Sequence, residues 1–251
     1  MIKTVMGIFA HPDDAELMCA GTLSLFSKAG WEVHIVTMAP GDKGTASLSR
    51  EDISRIRKNE AATSASIIGA TYHCLEFEDL YIKYDRDSLN RTTAIIRSVQ
   101  PSIVFTASPT DYMPDHELTG IIVQAACFAS GVKNLDINVT PYEPIPYLYY
   151  CDPMEGKDIF GKPVLPAIYV DITSEISIKE KMLSCHASQR DWLMLHHKMD
   201  EYILAMKRFA ALRGKEAGTD YAEGFRQHLG HGFPQDNILK ELLGNAVVTC
   251  Q

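Results

Sequence analysis

The sequence predicts an α/β fold in which helices cover both faces of a mostly parallel sheet. Short apolar runs of strand type alternate with segments of helical periodicity through the first half of the chain. Gly30, Gly69 and Pro101 follow three of the helical segments, as expected where helices end. The chain has 251 residues, of which 46% are hydrophobic, so a large core can form without disulfide staples.

The first half of the chain gives four strands, each followed by a helix. Apolar runs predict strands at residues 4–10, 32–38, 71–75 and 102–107. Helical periodicity predicts helices at residues 15–29, 51–68, 87–99 and 117–130. This alternation is typical of parallel strands, because parallel neighbours need a crossover connection.

The second half is less regular, because several prolines interrupt it. We expect strands at residues 147–151 and 167–172, helices at 174–186 and 191–213, and a mixed, glycine-rich tail at 215–251. The chain is predicted to form a single domain over residues 1–251. Its sheet core would occupy residues 1–135, and residues 136–251 would add the late strands, a C-terminal helical extension and the tail.

Charge and cysteine content exclude several classes of function. The net charge is −8 with histidine neutral, and no long Lys/Arg run is present, so we expect no nucleic-acid partner. No two of the six cysteines have C-x-x-C spacing, which favours reduced thiols. Without a secretory leader or a long apolar run, the chain is expected to be cytoplasmic and to have no membrane span. No G-x-G-x-x-G follows the first strand, so a nicotinamide enzyme is set aside.

Two polar clusters follow predicted strands directly. Residues 11–16 (His-Pro-Asp-Asp-Ala-Glu) come after the first strand, and residues 111–116 (Asp-Tyr-Met-Pro-Asp-His) come after the fourth. Ligand sites of open α/β sheets form at the carboxyl ends of strands, where the strand order reverses. With the usual strand order 3-2-1-4, the two clusters would line one crevice.

The residue types in these clusters suit a divalent cation. His11, Asp14 and His116 offer imidazole nitrogens and a carboxylate, and three protein ligands leave a coordination position for water. Asp13 is adjacent and can take the proton of that water. The alternative is structural, because Asp13 or Asp14 can instead cap the helix predicted to begin at Ala15.

The first cluster also matches a family motif. His11-Pro12-Asp13-Asp14-Ala15-Glu16, followed by Gly21-Thr22-Leu23, resembles the A-H-P-D-D-x-E signature of the PIG-L/LmbE-like N-acetylglucosaminyl deacetylases. Further resemblances lie at residues 57–61, 111–116, 186–189 and 221–225. The resemblance implies a Rossmann-like fold and a zinc-dependent enzyme, although related enzymes accept other divalent metals. It also implies an acetylated amino-sugar conjugate, a small molecule, as the substrate.

The same resemblance implies roles for individual residues. His11, Asp14 and His116 would be the metal ligands, and Asp13 would be the general base. Asp115 would orient the catalytic histidine of its own loop.

Met113 departs from the family pattern. The family commonly has histidine there, which is thought to stabilise an oxyanion or to act as general acid. Methionine has no strong hydrogen-bond donor and carries no charge. His186 is a candidate catalytic replacement, and His228 and His231 in the tail are further candidates. Alternatively, Asp13 alone could carry the proton from water to amine.

Arg57, Tyr112 and Met113 are expected to line the substrate site. For Arg57 the resemblance supports contact with substrate hydroxyls or a phosphate, and the alternative is a surface ion pair with Glu60 on the same helix. The glycine-containing residues 38–45 would form either a mobile loop over the crevice or an ordinary connection.

These observations predict a metal-dependent hydrolase that removes the acetyl group from an N-acetyl amino sugar or an N-acetylglucosaminyl conjugate. Two alternatives stay open. One is a hydrolase of another small N-acyl or N-carbamoyl amine, because metal and base specify the amide rather than the attached group. The other is a catalytically impaired homologue that binds metal or sugar, because of Met113. A homo-oligomer is compatible with each of them.

Overall fold

The computed structural model describes residues 3–190 and 202–249, and in that part of the chain eight strands form one sheet. The strands are β1 (Thr4–Phe9), β2 (Glu32–Thr37), β3 (Thr71–Cys74), β4 (Ile103–Thr106), β5 (Tyr147–Cys151), β6 (Ile168–Asp171), β7 (Ala222–Gln227) and β8 (Val247–Thr249). Their order across the sheet is β3-β2-β1-β4-β5-β7-β6-β8.

Helices pack on both faces of this sheet. They are α1 (Asp14–Met18), α2 (Ala20–Lys28), α3 (Arg50–Ile67), α4 (Arg86–Val99), α5 (Pro114–Ala129), α6 (Ile176–Ser184), α7 (Tyr202–Ala217) and α8 (Ile238–Leu243). Side chains of α2, α3 and α6 enter one core, and those of α4 and α5 enter the core on the opposite face.

The sheet confirms the predicted fold class and the strand order 3-2-1-4. Strands β1 to β5 pair in parallel, whereas β7 is antiparallel to β5 and β6, and β6 is antiparallel to β8. Alternate residues of β1 enter opposite cores, with Val5 and Phe9 on one face and Met6 and Ile8 on the other. Because both faces are buried, the strand is apolar after Thr4.

The tail contains a strand that the sequence did not predict. Strand β7 inserts between β5 and β6, so one sheet runs through both predicted parts of the domain. Its sequence, Ala-Glu-Gly-Phe-Arg-Gln, has no apolar run, because polar partners surround it. A Cβ at Gly224 would come within 2.4 Å of Asp152 Oδ2 and 2.5 Å of Pro166 Cγ, which explains the glycine.

The helix predicted at residues 15–29 is in fact two helices, separated at Cys19. The break leaves the N–H groups of Gly21 and Thr22 without helical partners, and the buried carboxylate of Glu223 accepts both, at 2.9 and 2.8 Å. Lys179 neutralises that carboxylate. A tail residue on β7 therefore caps α2 and fixes the helix that follows the first polar cluster.

Two further predictions change in detail. Helix α5 begins at Pro114 rather than at residue 117, because proline is well suited to the first helical turn, so Asp115 and His116 are helical. For the helix predicted at residues 191–213, residues 191–201 lie outside the described part of the chain, and α7 covers 202–217. Among the described helices, no apolar segment reaches the length needed to cross a membrane.

Candidate active site

The two polar clusters meet at the carboxyl edge of the sheet, as predicted. His11 and Asp14 follow β1, and His116 lies in the first turn of α5, which follows β4. Strands β1 and β4 are neighbours, with Gly7 opposite Phe105. The ring centroids of His11 and His116 are 5.5 Å apart. Residues separated by about a hundred positions therefore form one buried group.

His11, Asp14 and His116 have the arrangement of a metal site. One donor atom from each lies within 4.8 Å of the other two, and all three residues are buried. Asp14 lies between the rings, 3.7 Å from His11 Nδ1 and 3.4 Å from His116 Nε2. The helix-capping alternative is wrong, because Asp13 makes no side-chain cap and Asp14 accepts the His11 backbone N–H at 2.9 Å.

Outer carboxylates hold both imidazoles in the orientation that a metal needs. His11 Nε2 lies 2.9 Å from Asp79 and 3.3 Å from Asp115, and His116 Nδ1 lies 3.1 Å from Asp111. These contacts place the ring protons on the outer nitrogens. The inner nitrogens, His11 Nδ1 and His116 Nε2, therefore present lone pairs toward Asp14, as in carboxylate–histidine–metal arrangements.

The role predicted for Asp115 is wrong in its partner. Asp115 does not hold His116, the histidine of its own segment. Its carboxylate lies against His11 and accepts the Leu80 backbone N–H at 2.7 Å. Asp111 holds His116 instead, because the first turn of α5 carries Asp115 and His116 on different sides.

Negative charge accumulates around these histidines. Burial lowers the pKa of His11, but hydrogen bonds to Asp115 and Asp79 outweigh burial and raise that pKa to about 10. Asp14 adds a third carboxylate to the same space. Nitrogen and carboxylate donors with an excess of negative charge fit a divalent cation, and the donor set matches that of mononuclear hydrolytic sites.

Asp13 lies next to the metal site in an uncommon backbone conformation, with φ of +99°. Its side chain is buried, its Oδ2 accepts a hydrogen bond from the Tyr202 hydroxyl of α7, and its Oδ1 is 3.9 Å from Arg57. Burial raises the pKa of Asp13, although the charge of Arg57 opposes the shift. A carboxylate fixed at the metal site with a raised pKa suits a general base.

The structure shows Arg57 on backbone partners, and its contact with a substrate stays a prediction. Its side chain is only 4% exposed, and it donates to Pro12 O at 3.0 Å and to Gly41 O at 3.4 Å. A Cβ at Gly41 or Gly44 would come within 2.3 or 2.5 Å of its Nη1, so the two glycines let the loop cover it. Arg57 therefore braces the backbone that carries Asp13.

The alternative ion pair between Arg57 and Glu60 is absent. The carboxylate of Glu60 instead accepts two hydrogen bonds from Ser188. The Ser188 backbone N–H donates one at 2.9 Å, and the Ser188 hydroxyl donates the other at 2.6 Å. This contact ties the segment after His186 to α3. The motif resemblances at residues 57–61 and 186–189 therefore meet in space.

His186 lies behind Asp13 rather than at the crevice. His186 is 1% exposed, and its Nε2 is 3.2 Å from Glu16 Oε1. Burial lowers the pKa of His186, but the charge of Glu16 outweighs burial and the net shift is upward. In the structure His186 therefore acts on Asp13 through its charge, and its catalytic role stays a prediction.

Tyr112 and Met113 lie at the rim above His116. The Tyr112 side chain is 64% exposed, and its ring meets that of His116 edge-on, with centroids 5.6 Å apart. Met113 is half-buried and caps α5 through its backbone. Neither tail histidine replaces the missing imidazole by a described contact with the metal residues, since His228 bonds the Tyr150 hydroxyl and His231 is exposed.

The loop at residues 38–45 is a fixed connection rather than a mobile cover. The carboxylate of Asp42 is 4% exposed and accepts the Asp79 backbone N–H at 2.8 Å. It also bonds Lys43 at 2.9 Å and Arg50 at 2.8 Å. These bonds join the loop to the residue that orients His11.

Sequence reasoning missed three site residues. Asp79 and Asp111 follow β3 and β4 at the carboxyl edge, so a count of carboxylates along that edge could have found them. Tyr202 carries no comparable signal, because it lies on an ordinary amphipathic helix far along the chain.

Comparisons with known proteins find a matching family model and several relatives. Residues 6–127 match the PIG-L family, described as GlcNAc-PI de-N-acetylase. The chain is 27% identical to diacetylchitobiose deacetylase of Thermococcus kodakarensis, over 90% of this chain and 83% of the relative. It is 26% identical to 4-oxalmesaconate hydratase of Pseudomonas putida, over 74% of each chain.

Solved structures agree on the fold. The N,N'-diacetylchitobiose deacetylase of Pyrococcus horikoshii superimposes with a TM-score of 0.77 at 29% identity, covering 94% of this chain and 88% of that one. GalB, the 4-carboxy-2-hydroxymuconate hydratase of Pseudomonas putida, superimposes with a TM-score of 0.78 at 23% identity, covering 94% and 98%. At that identity the likeness to GalB concerns the fold alone.

Proposed function

Since residues 6–127 match the PIG-L family model, we propose that this chain is a PIG-L/LmbE-like, metal-dependent N-deacetylase that releases acetate from an N-acetyl amino sugar or an N-acetylglucosaminyl conjugate. One observation carries the proposal: His11, Asp14 and His116 bring their donor atoms within 4.8 Å of one another, beside the buried carboxylate of Asp13. The names of the deacetylase relatives support the amide as the bond that is cleaved.

His11, Asp14 and His116 would hold the metal, and Zn²⁺ fits their two imidazoles and one carboxylate. Iron, cobalt or manganese suit the same donors, so availability decides among them. A bound divalent ion would polarise the acetamide carbonyl and acidify a water molecule. Asp79, Asp115 and Asp111 accept the outer ring N–H groups, so the inner nitrogens of His11 and His116 are aimed at that ion.

Asp13 takes the proton when water attacks the acetamide carbon. Its Oδ2 is occupied by the Tyr202 hydroxyl, so Oδ1 is the oxygen that accepts the proton. Since Met113 supplies no proton, Asp13 returns its proton to the departing amine as the C–N bond breaks. Arg57 keeps the carboxylate in place by holding the Pro12 carbonyl.

Tyr112 and Met113 would contact the sugar at the rim. The exposed ring of Tyr112 offers a flat apolar surface, which suits the apolar face of a pyranose. The expected partner is therefore a small amino-sugar conjugate. We also propose a single domain and a cytoplasmic location, which the five described free cysteines support. A homo-oligomer stays compatible with these proposals.

Met113 favours one second candidate, hydration of a carbon–carbon double bond. In hydration, oxygen of the activated water adds to one carbon and a proton adds to the other, and Asp13 could carry the water's own proton to that carbon, so no departing amine has to be protonated. The hydratase among the relatives supports this possibility. Hydrolysis of another N-acyl amine and a catalytically impaired homologue remain as variants of the main proposal.

Acetate release from a panel of N-acetylglucosamine conjugates tests the proposal, with metal-reconstituted protein and Met113→His beside the natural chain. We expect acetate and free amine in equal amounts, and a rate that changes little in Met113→His. A rise in the variant on the order of 100- to 1,000-fold from near zero would instead support the impaired homologue. No acetate from any conjugate, together with water addition to an unsaturated dicarboxylate, would favour the hydratase.

A further inference from the structure

Arg226 lies at the carboxyl edge of the sheet with most of its hydrogen-bonding capacity unused. It belongs to β7 and pairs with Tyr150 of β5. Its Nη2 donates to Ser108 Oγ at 2.8 Å, while its Nε is buried without a partner in the described part of the chain. A guanidinium has five N–H donors, so a group that satisfies the remaining ones is expected.

The neighbouring carboxylate of Asp152 is engaged through one oxygen, while its Oδ1 is buried without a hydrogen-bond partner in the described part of the chain. Asp152 follows β5 directly, and its Oδ2 accepts Arg213 Nε at 2.7 Å. Arg213 also bonds Glu216 at 2.7 and 2.9 Å. Among the described residues, no carboxylate lies within ion-pair distance of Arg226, although the charge of Asp152 acts on it, so N–H groups of the guanidinium are available to a ligand.

One short loop, residues 108–111, connects Arg226 with the predicted metal ligand His116. Ser108, the partner of Arg226, belongs to the segment that carries Asp111, and Asp111 bonds both His116 and the Met154 backbone N–H at 3.1 Å. Strand β7, which carries Arg226, is three strands from β1 in the sheet, and this corresponds to about 14 Å. That separation suits the group attached to an amino sugar rather than its acetyl group.

We propose that Arg226 binds an oxyanion, either a carboxylate or a phosphate, carried by the group that is linked to the amino sugar. The planar guanidinium matches two oxygens of such an anion, and partial burial strengthens the contact. This specificity role rests on the proposed deacetylase function. It selects among conjugates and takes no part in cleaving the amide.

Matched conjugates test this role. N-acetylglucosamine would carry the same linker ending in a carboxylate, a phosphate or a neutral amide, and kcat/KM would be measured for the natural chain, Arg226→Gln and Arg226→Lys. We expect Arg226→Gln to lose roughly 10- to 100-fold with the anionic conjugates, mainly through KM, and to change little with the neutral one. Arg226→Lys should retain part of the preference. Arg55→Gln, on the exposed face of α3, is the control that should change nothing.

Binding of two simple probes gives a readout without turnover. Succinate and inorganic phosphate would be titrated into the metal-loaded natural chain and into Arg226→Gln. Weaker binding of either probe to Arg226→Gln would support the anion site even if no conjugate released acetate, and the probe that loses more would identify the anion. Equal affinity in both proteins, or equal losses with neutral and anionic conjugates, would overturn the proposal.

Discussion

Asp111→Asn probes how the carboxylate behind His116 sets metal affinity. In the natural chain Oδ1 accepts His116 Nδ1 at 3.1 Å and Oδ2 accepts the Met154 N–H at 3.1 Å, with the residue 1% exposed. Asparagine keeps one acceptor oxygen and presents an N–H₂ group to the other donor. One of the two bonds is therefore lost, and the charge that raises the basicity of His116 disappears.

The magnitude follows from the number of carboxylates on each histidine. His116 has one outer carboxylate, so Asp111→Asn should weaken metal binding about 10- to 100-fold, or roughly 1.4–2.8 kcal/mol. His11 has two, Asp79 at 2.9 Å and Asp115 at 3.3 Å, so one remains in Asp79→Asn. That variant should lose less affinity than Asp111→Asn.

Competition with a chromophoric chelator at pH 7 measures these affinities for Zn²⁺. Asp52→Asn, an exposed carboxylate on α3, is the matched control and should bind metal like the natural chain. The reasoning fails if Asp111→Asn binds within about twofold of the natural chain, or if Asp79→Asn is the weaker of the two binders.

Three further predictions concern the base, the fold and the metal. Tyr202→Phe keeps the packing but removes the hydrogen bond to Asp13, so kcat should fall roughly 10-fold at unchanged KM and metal content; a change confined to KM would contradict a positioning role. Glu223→Gln leaves Lys179 buried without its ionic partner, so urea unfolding should show a loss of about 3–5 kcal/mol. Glu180→Gln, which removes a partly exposed ion pair with Lys207, should lose only about 0–1 kcal/mol, and equal losses in the two variants would contradict the role of the buried ion pair between Glu223 and Lys179. Zn²⁺ at about 1,000 times its Kd should raise the free energy of chemical unfolding by roughly 4 kcal/mol, because the site exists only in the folded protein. An increase below about 1 kcal/mol would show that Zn²⁺ does not bind the folded protein selectively.

The sequence predicts the first four strands and their order because each is an apolar run followed by a helix. It does not predict β7, since this strand carries Glu223, Gly224 and Arg226, whose neighbours come from distant segments. Local periodicity contains no information about those neighbours. The break at Cys19 escapes prediction for the same reason, because its compensation comes from Glu223 on β7.

The site follows the same division. His11, Asp13, Asp14 and His116 were predicted because strand ends and donor chemistry are both visible in sequence. The burial of Arg57 was not, because only the folded loop shows that Gly41 and Gly44 lie over its guanidinium. The backbone partners of that arginine therefore come from segments that are distant in sequence.

The central claim is that Asp13 activates water for attack on an acetamide held at the metal site. The most direct test is turnover of an N-acetylglucosamine conjugate in ¹⁸O-labelled water, with Asp13→Asn beside the natural chain. We predict one labelled oxygen in the released acetate, none in the amine product, and no acetate from Asp13→Asn although it still binds stoichiometric Zn²⁺. Full activity of metal-loaded Asp13→Asn would contradict this mechanism. So would a product that keeps its N-acetyl group and carries the ¹⁸O as a new hydroxyl on carbon.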